Sequence, residues 1–294
     1  MYILILGGSG QLGKTLHSLL HEKFQIISFT KSQLSITDKK KVNSVIAQYA
    51  PTFVINCSAY TKVDLAEQEN DLALEINFYG IRNLCQACKK SNSTLIHFST
   101  DYVFDGKKNN PYVESDSANP INVYGASKLK GDQYIIDEMK NYFIFRVSGV
   151  FSEHGNNFVK TMMRLSNKDS LSVVNDQIMK PSSASFISNF IKINLEKNSF
   201  IKENVGLYNL SSMGPNISWY KFAKLIFQEM LEQGLINDIP KINPILSVDY
   251  KSKVNRPLFS VLSNDKVRKK FILPKNADYS NQLKVELKNI YKNL

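Results

Sequence analysis

The feature that most restricts this chain is a glycine-spaced turn placed between a strand and a helix at its very start. Tyr2–Leu6 is an apolar, strand-sized run that passes into Gly7-Gly8-Ser9-Gly10-Gln11-Leu12-Gly13 and then into an amphipathic pattern. The spacing is Gly-x-x-Gly-x-x-Gly. Gly7 allows a tight exit from the strand. Gly10 leaves bare backbone where a pyrophosphate approaches, and Gly13 lets the helix pack close to the sheet. The N-terminus of that helix offers free N–H groups and a positive dipole end to an anion.

Further strand-like runs recur at Gln25–Phe29, Phe53–Asn56, Thr94–Phe98 and Phe143–Val147, with helical patterns at Gln11–His21, Lys39–Tyr49, Asp71–Lys90 and Tyr124–Lys140 between them. Short, almost continuous apolar strands alternating with helices imply an α/β fold. Its parallel sheet is doubly wound and covered on both faces. After about Val150 the alternation blurs. Asn156–Ser166 reads as helix, Leu171–Val174 and Gly206–Leu210 as strands, and Ser218–Gln233 as an amphipathic helix. The expected organisation is a Rossmann domain over residues 1–150, to which later segments contribute. Residues 151–294 then form largely a smaller substrate-binding lobe.

A dinucleotide turn raises the choice of cofactor. NAD sites usually hold the ribose 2′-hydroxyl with an acid at the end of the second strand. Here that strand ends Ser28-Phe29-Thr30-Lys31. Thr30 does not repel a 2′-phosphate and Lys31 can pair with one, so NADPH is expected over NADH, with NADH still open.

The fourth strand runs on into Ser99-Thr100-Asp101-Tyr102, and Val123-Tyr124-Gly125-Ala126-Ser127-Lys128 opens a later helix. Tyr124 and Lys128 are four residues apart and share one helical face. A phenol titrates near 10, about three units too high for ready proton exchange at neutral pH. A nearby ammonium favours the phenolate and lowers that value. Thr100, at the strand end, is placed to hydrogen-bond a carbonyl oxygen undergoing reduction. Thr100, Tyr124 and Lys128 are the candidate catalytic residues.

With these segments the chain resembles the extended short-chain dehydrogenase/reductases, and within them the reductases of nucleotide-linked 4-keto sugars. The resemblance covers nearly the whole length. It is carried by Gly7–Gly13, the run from Val54 to Asp64, Ser99-Thr100-Asp101-Tyr102-Val103-Phe104-Asp105-Gly106, Val123–Lys128, Gly155-Asn156-Asn157-Phe158 and Arg256-Pro257. It implies that Gly10, Gln11 and Leu12 sit at the cofactor phosphates. Ala59, Tyr60 and Thr61 would line the cofactor path, and Lys128 would also hold the nicotinamide ribose. Thr100 and Asp101 would contact the sugar, with Tyr124 as proton donor. The implied reaction reduces the 4-keto group of a dTDP-linked deoxyhexose to give dTDP-L-rhamnose.

Several positions depart from the family pattern. Its Arg-Thr-Ser-Trp segment reads Arg146-Val147-Ser148-Gly149 here, so an aromatic platform for the substrate is missing and Gly149 is expected to reshape the sugar pocket. The family's Gly-x-Pro-Thr segment is replaced within Ile178-Met179-Lys180-Pro181-Ser182, and an adenine-side Asp by Ser35. Some members bind magnesium at a dimer contact through a Glu whose place is taken by Thr15. No metal is expected, and a monomer or weak homodimer.

The remaining features carry less. The net charge is +11, of which residues 251–294 supply +8. Those bases are spread along a polar pattern without a nucleic-acid motif, so a solvated face is expected rather than nucleic-acid binding. Arg256 within that tail reads either as a surface residue or as a partner of the nucleotide diphosphate. Cys85 and Cys88 read as small buried residues of a helix, and reduced thiols fit a cytoplasmic protein. Met1 leads straight into the first strand, so no secretory leader is expected, and no apolar run approaches the roughly 20 residues of a membrane span. His97 reads as a core histidine and Trp219 as a core anchor of the small lobe. His17, His21 and His154 lack metal-site spacing. Other nucleotide 4-keto sugars remain as alternative substrates. A non-catalytic NADP-binding regulatory subunit is the alternative of a different class, and the complete Thr100, Tyr124 and Lys128 set weighs against it.

Overall fold

The structure is a computed structural model that describes residues 2–252 and 254–292. Six strands form one all-parallel sheet: β1 (Tyr2–Leu6), β2 (Gln25–Phe29), β3 (Phe53–Asn56), β4 (Thr94–Thr100), β5 (Tyr142–Val147) and β6 (Gly206–Asn209). Their spatial order is β6-β5-β4-β3-β1-β2. The chain therefore reverses its direction of travel across the sheet between β1 and β3. In open α/β sheets a ligand crevice forms beyond the strand ends at such a point.

Alternation along β1 shows why its residues read as a continuous apolar run. Ile3 and Ile5 pack on one face with Leu16 and Leu20 of α1 (Gln11–Leu20) and with Phe186 and Phe190 of a helix from the second half of the chain. Leu4 and Leu6 pack on the other with Val42 and Ile46 of α2 (Lys39–Tyr49) and Leu84, Cys85 and Cys88 of α3 (Gly80–Ser91). Both faces are buried among apolar side chains, so neither side of the strand has a place for polar residues. Cys85 and Cys88 are unbridged, and burial pushes the Cys85 thiol up to about 12.

Two local departures from the sequence pattern position the site. The helix expected over Asp71–Lys90 is broken into Asn70–Leu74, a π-helical turn at Glu75–Tyr79, and α3. The π turn carries Asn77 inward, where it brackets the backbone of Tyr60: the Tyr60 N–H donates to Asn77 Oδ1 at 2.9 Å, and Asn77 Nδ2 donates to Tyr60 O at 3.1 Å. Strand β4 continues through Thr100, two residues past the expected end, because Ser99 and Thr100 still pair with Arg146 and Val147 of β5. Helix α4 (Val123–Glu138) starts where the Asn122 side chain accepts from the Gly125 N–H at 2.8 Å, as an N-cap should.

Helix α5 (Ala184–Glu196) packs against α1, β6 completes the sheet beside β5, and Val267 and Phe271 join the same core, so the sheet layer takes several elements from beyond residue 150. A second core gathers Phe151, Val159, Met162, Phe222, Ile226 and Leu283, among others. Around it lie α6 (Trp219–Glu232), α7 (Tyr279–Lys292) and the parallel pair Ser170–Val174 with Lys241–Ile245. No helix among the described residues is long and apolar enough to cross a membrane.

Candidate active site

A cavity of about 800 Å³ opens at the C-terminal ends of the strands, between the β1 and β3 turns and the second core. Gly10, Gln11 and Leu12 line it from the glycine turn, Ala59 and Thr61 from the loop after β3, and Thr100, Asp101, Tyr124, Lys128 and Gly149 from the opposite wall.

The glycines act as the spacing implies. Gly7 has φ +77°, and a Cβ there would lie 2.7 Å from the Ser58 N. A Cβ on Gly13 would run into the Gly7 carbonyl. Gly10 caps α1 without any side-chain hydrogen bond, and the first turn holds no acid. The open N–H groups and positive helix end thus face the cavity. Gln11 Oε1 accepts from Asn157 Nδ2 at 2.9 Å and from Ser152 Oγ at 3.2 Å, which ties the turn to the second lobe.

Thr100 and Asp101 sit at the end of β4, both nearly fully buried. Asp101 accepts from Ser148 Oγ at 2.7 Å and from Thr100 Oγ1 at 3.1 Å. Burial still raises its carboxyl above the ordinary range, against hydrogen bonds from Ser260, Ser148 and Thr100. Tyr102 stands edge-on to Tyr124, with ring centres 5.9 Å apart.

Tyr124 and Lys128 correct one expectation. The spacing puts them on one face, but Lys128 does not hold the phenol's pKa down. Burial pushes the Tyr124 phenol well above its usual value. A hydrogen bond with Thr100 opposes this, and the negative charges near Asp101, Tyr102 and Asp132 add to it. Lys128 is 2% exposed and its amine is turned to the sheet, donating to Phe98 O at 2.8 Å and lying 3.1 Å from His97 Nε2. Burial lowers the Lys128 amine to about 8, against the pull of Asp132.

Not every expected residue lies on the cavity wall. Gly7 and Gly13 shape the turn from behind. Tyr60 points its ring into a small buried cluster and donates from its hydroxyl to Glu69 Oε2 at 2.7 Å. Lys31 is exposed beyond β2, next to Thr30, whose hydroxyl donates to Gln33 Oε1 at 3.0 Å. Arg256 also stands off the wall, although Pro257 and Ser260 line it: its guanidinium grips Asp64 at 2.8 and 2.9 Å and Ser252 Oγ at 2.7 Å.

Gly149 lines the cavity with φ +53°, and a Cβ there would lie 3.1 Å from Pro181 Cα and 3.3 Å from Met179 Sδ. The space beside Gly149 is thus partly filled by Met179. Trp219 packs against the second core, as expected of a core anchor, but does more. It is half-buried and lines the cavity, its ring 4.6 Å from that of Phe158, so it serves wall and core together. The first residue of an amphipathic helix straddles inside and outside, which the helical pattern alone does not resolve. Phe158, Ser148 and Met179 lie in segments that the family pattern singles out, but the sequence assigns no role to these three side chains; they reach the site through loops whose paths depend on the second core. Among the described residues no group of His, Cys, Asp and Glu is arranged to hold a metal ion.

A doubly wound parallel sheet, a glycine turn at its switch point and a Thr, Tyr and Lys set on the wall of the same cavity define a dinucleotide-fold dehydrogenase or reductase. The RmlD substrate binding domain family matches residues 1–292, and the chain belongs to that family. It is similar to the dTDP-4-dehydrorhamnose reductase of Aggregatibacter actinomycetemcomitans, 39% identical over 274 residues that span 92% of each chain. The dTDP-4-dehydrorhamnose reductase of Escherichia coli strain K12 is 32% identical over 282 residues, 93% of each chain. The crystal structure of dTDP-4-dehydrorhamnose reductase from Bacillus anthracis in complex with NADP superposes with a TM-score of 0.89. Its identity is 35%, and the match covers 98% of this chain and 99% of that one.

Proposed function

We propose that this protein reduces dTDP-4-dehydrorhamnose to dTDP-L-rhamnose with NADPH. The observation that carries the reading is that Thr100, Tyr124 and Lys128 meet in one cavity floored by the glycine turn, in a chain 39% identical to such a reductase. The residues present fit a dinucleotide: Gly10 leaves the α1 N-terminus bare toward the cavity, and no acid of the first turn opposes an anion there. When bound, the nicotinamide supplies the hydride. Gly7, Gly10, Gln11, Leu12 and Gly13 form the phosphate cradle, and Ala59 and Thr61 continue its wall, with the Tyr60 backbone between them fixed by Asn77. Lys31 sits at the end of β2 where a 2′-phosphate is read, which favours NADPH over NADH.

Tyr124 holds the proton that the reduced oxygen takes up, and its buried phenol keeps that proton at neutral pH. When substrate binds, the Thr100 hydroxyl turns its single hydrogen from Asp101 to the same oxygen. Asp101, anchored by Ser148, orients Thr100 and faces the sugar. Lys128 orients the cofactor ribose. Gly149, Met179 and Trp219 set the shape of the sugar site, and Arg256 serves the diphosphate after leaving Asp64.

In this reading residues 1–150 supply most of the cofactor half and residues 151–294 most of the substrate lobe. The protein works in the cytoplasm as a monomer or weak homodimer. Unbridged Cys85 and Cys88 support the first point. Thr15, whose hydroxyl donates to the Gln11 carbonyl of its own helix, supports the second, because it presents no carboxylate to a bridging metal. Following NADPH absorbance with a panel of nucleotide-linked 4-keto sugars tests the reaction. Turnover of dTDP-4-dehydrorhamnose is expected. Turnover of a different sugar alone would reassign the substrate, and turnover of none would favour a regulatory subunit.

A further inference from the structure

Behind Lys128 lies a buried polar chain that the proposed reaction does not use. The Ser58 backbone N–H donates to Asn56 Oδ1 at 3.0 Å, Asn56 Nδ2 lies 3.0 Å from His97 Nδ1, and His97 Nε2 lies 3.1 Å from Lys128 Nζ. Asn56 is 1% exposed, His97 not at all.

Donor and acceptor rules give this chain a direction. A backbone N–H only donates, so Ser58 requires the oxygen of the Asn56 amide and turns the amide nitrogen toward His97. That nitrogen also only donates, so His97 Nδ1 must accept, and a neutral imidazole then carries its one hydrogen on Nε2. The Nε2 hydrogen points at Lys128. An ammonium has three hydrogens and no acceptor, whereas a free amine has one lone pair. The chain therefore matches a Lys128 that has given up a proton. A charged Lys128 sets donor against donor, or reverses the whole chain and leaves the Ser58 N–H facing an amide N–H₂.

We propose that Asn56 and His97 are positioning residues that present a hydrogen to the Lys128 amine and so hold its charge down in the ligand-free protein. The proposal deepens the reductase reading and rests on it for the role of Lys128. Other groups around Lys128 act on the same balance. Asp132 lies one turn further along α4, and its unpartnered Oδ1 is 3.7 Å from His97 Nε2. Arg146 of β5 lies 3.9 Å from Asp132 Oδ2, Tyr124 sits one turn earlier, and Asp101 follows β4. Asp132 favours the ammonium, so the buried surroundings and the His97 hydrogen work against it. The Lys128 value of about 8 and the lowered value of His97, set first by burial and then by Lys128, agree with a neutral ring.

The Asn56→Asp variant isolates the direction of the chain. A carboxylate accepts from both Ser58 and His97, which moves the imidazole hydrogen to Nδ1 and turns Nε2 into an acceptor for an ammonium. The experiment is ¹⁵N-histidine NMR of the full-length protein without cofactor above the Lys128 transition, with His97 assigned through His97→Gln. The expected wild-type ring is neutral with its hydrogen on Nε2. In Asn56→Asp the hydrogen moves to Nδ1, and the basic limb of the kcat/KM profile for the 4-keto sugar shifts up by about one pH unit or more. A wild-type hydrogen on Nδ1, a charged wild-type ring, or an unmoved basic limb in a folded variant overturns the proposal. If Asn56→Asp does not fold, the wild-type spectrum alone decides. If no 4-keto sugar is turned over, the reaction fails while the tautomer still reads the chain; if the sugar is reduced and the hydrogen is on Nδ1, only this inference fails.

Discussion

Arg256 and Asp64, 192 residues apart in sequence, form a two-pronged ion pair at the rim of the cavity. The pair joins the loop before Pro257 to the short helix Val63–Ala66 that follows the β3 loop. Asp64 is largely exposed, so the pair itself contributes little stability, within about 1 kcal/mol. Its place is what matters, since an incoming diphosphate presents the same kind of oxygens as Asp64. Arg256→Ala should raise KM for the nucleotide sugar by roughly 10- to 100-fold, the cost of a lost charged hydrogen bond. Asp64→Asn should lower it by a few-fold, because the guanidinium is released. Steady-state kinetics at fixed NADPH checks both, and equal effects of the same sign would reject the exchange.

Tyr124→Phe removes the proton donor and little volume. Turnover should fall by on the order of 10²- to 10⁴-fold while NADPH affinity holds. Thr100→Val should be milder, since it deletes one hydrogen bond, and Lys128→Met should impair both turnover and cofactor binding. Single-turnover rates and fluorescence titration separate these effects. Full activity in Tyr124→Phe would point to the regulatory-subunit reading.

Lys31 stands free at the end of β2 with no acid beside it in the turn. Lys31→Asp should erase or reverse a preference for NADPH over NADH, by placing repulsion where a 2′-phosphate sits. The ratio of the two dissociation constants measures it, and an unchanged ratio would remove Lys31 from the cofactor site.

Gly149 holds a left-handed backbone against Pro181 and Met179. Even Gly149→Ala should destabilise, by about 1–2 kcal/mol from backbone strain alone. The melting temperature should then drop by roughly 2–8 °C. A tryptophan here needs Met179 to move as well. Met179→Ala combined with Gly149→Trp should recover part of the loss seen in Gly149→Trp alone, as thermal melts of the set would show.

The buried Lys128 amine makes stability depend on alkaline pH in a defined direction. Its folded value of about 8 lies below the ordinary 10.5, so between these values the unfolded chain holds more protons than the folded one. Stability contributed by this group therefore rises with pH across that window. Relative to Lys128→Met, the wild-type urea midpoint should gain as pH is raised from 8 to 10.5. A constant difference between the two proteins would mean that the amine titrates normally.

Much of this site is legible in the order of the residues. The glycine spacing defines the turn, and the i, i+4 relation of Tyr124 and Lys128 puts both on one wall, because these depend on local geometry. Where side chains point once the sheet is assembled is not legible in the same way. Lys128 turns to Phe98 and His97, and Tyr60 turns to Glu69, through contacts made across strands and helices. The helix Ala184–Glu196 is hidden for a related reason. Its Ser-Phe-Ile-Ser-Asn-Phe-Ile run is rich in aromatic and β-branched residues that suit strands, and it becomes helical by packing against α1 under a Ser183 cap.

The parallel sheet is finished late in the chain. β5 pairs on one side with β4, and its other edge waits for β6, which follows only after the 158–164 and 184–196 helices. A nascent or truncated chain ending near residue 150 would expose the apolar β5 strand as an open template for other chains. Separate expression of the first half should therefore favour aggregation, and any attempt to transplant the cofactor half must carry Ala184–Asn209 with it.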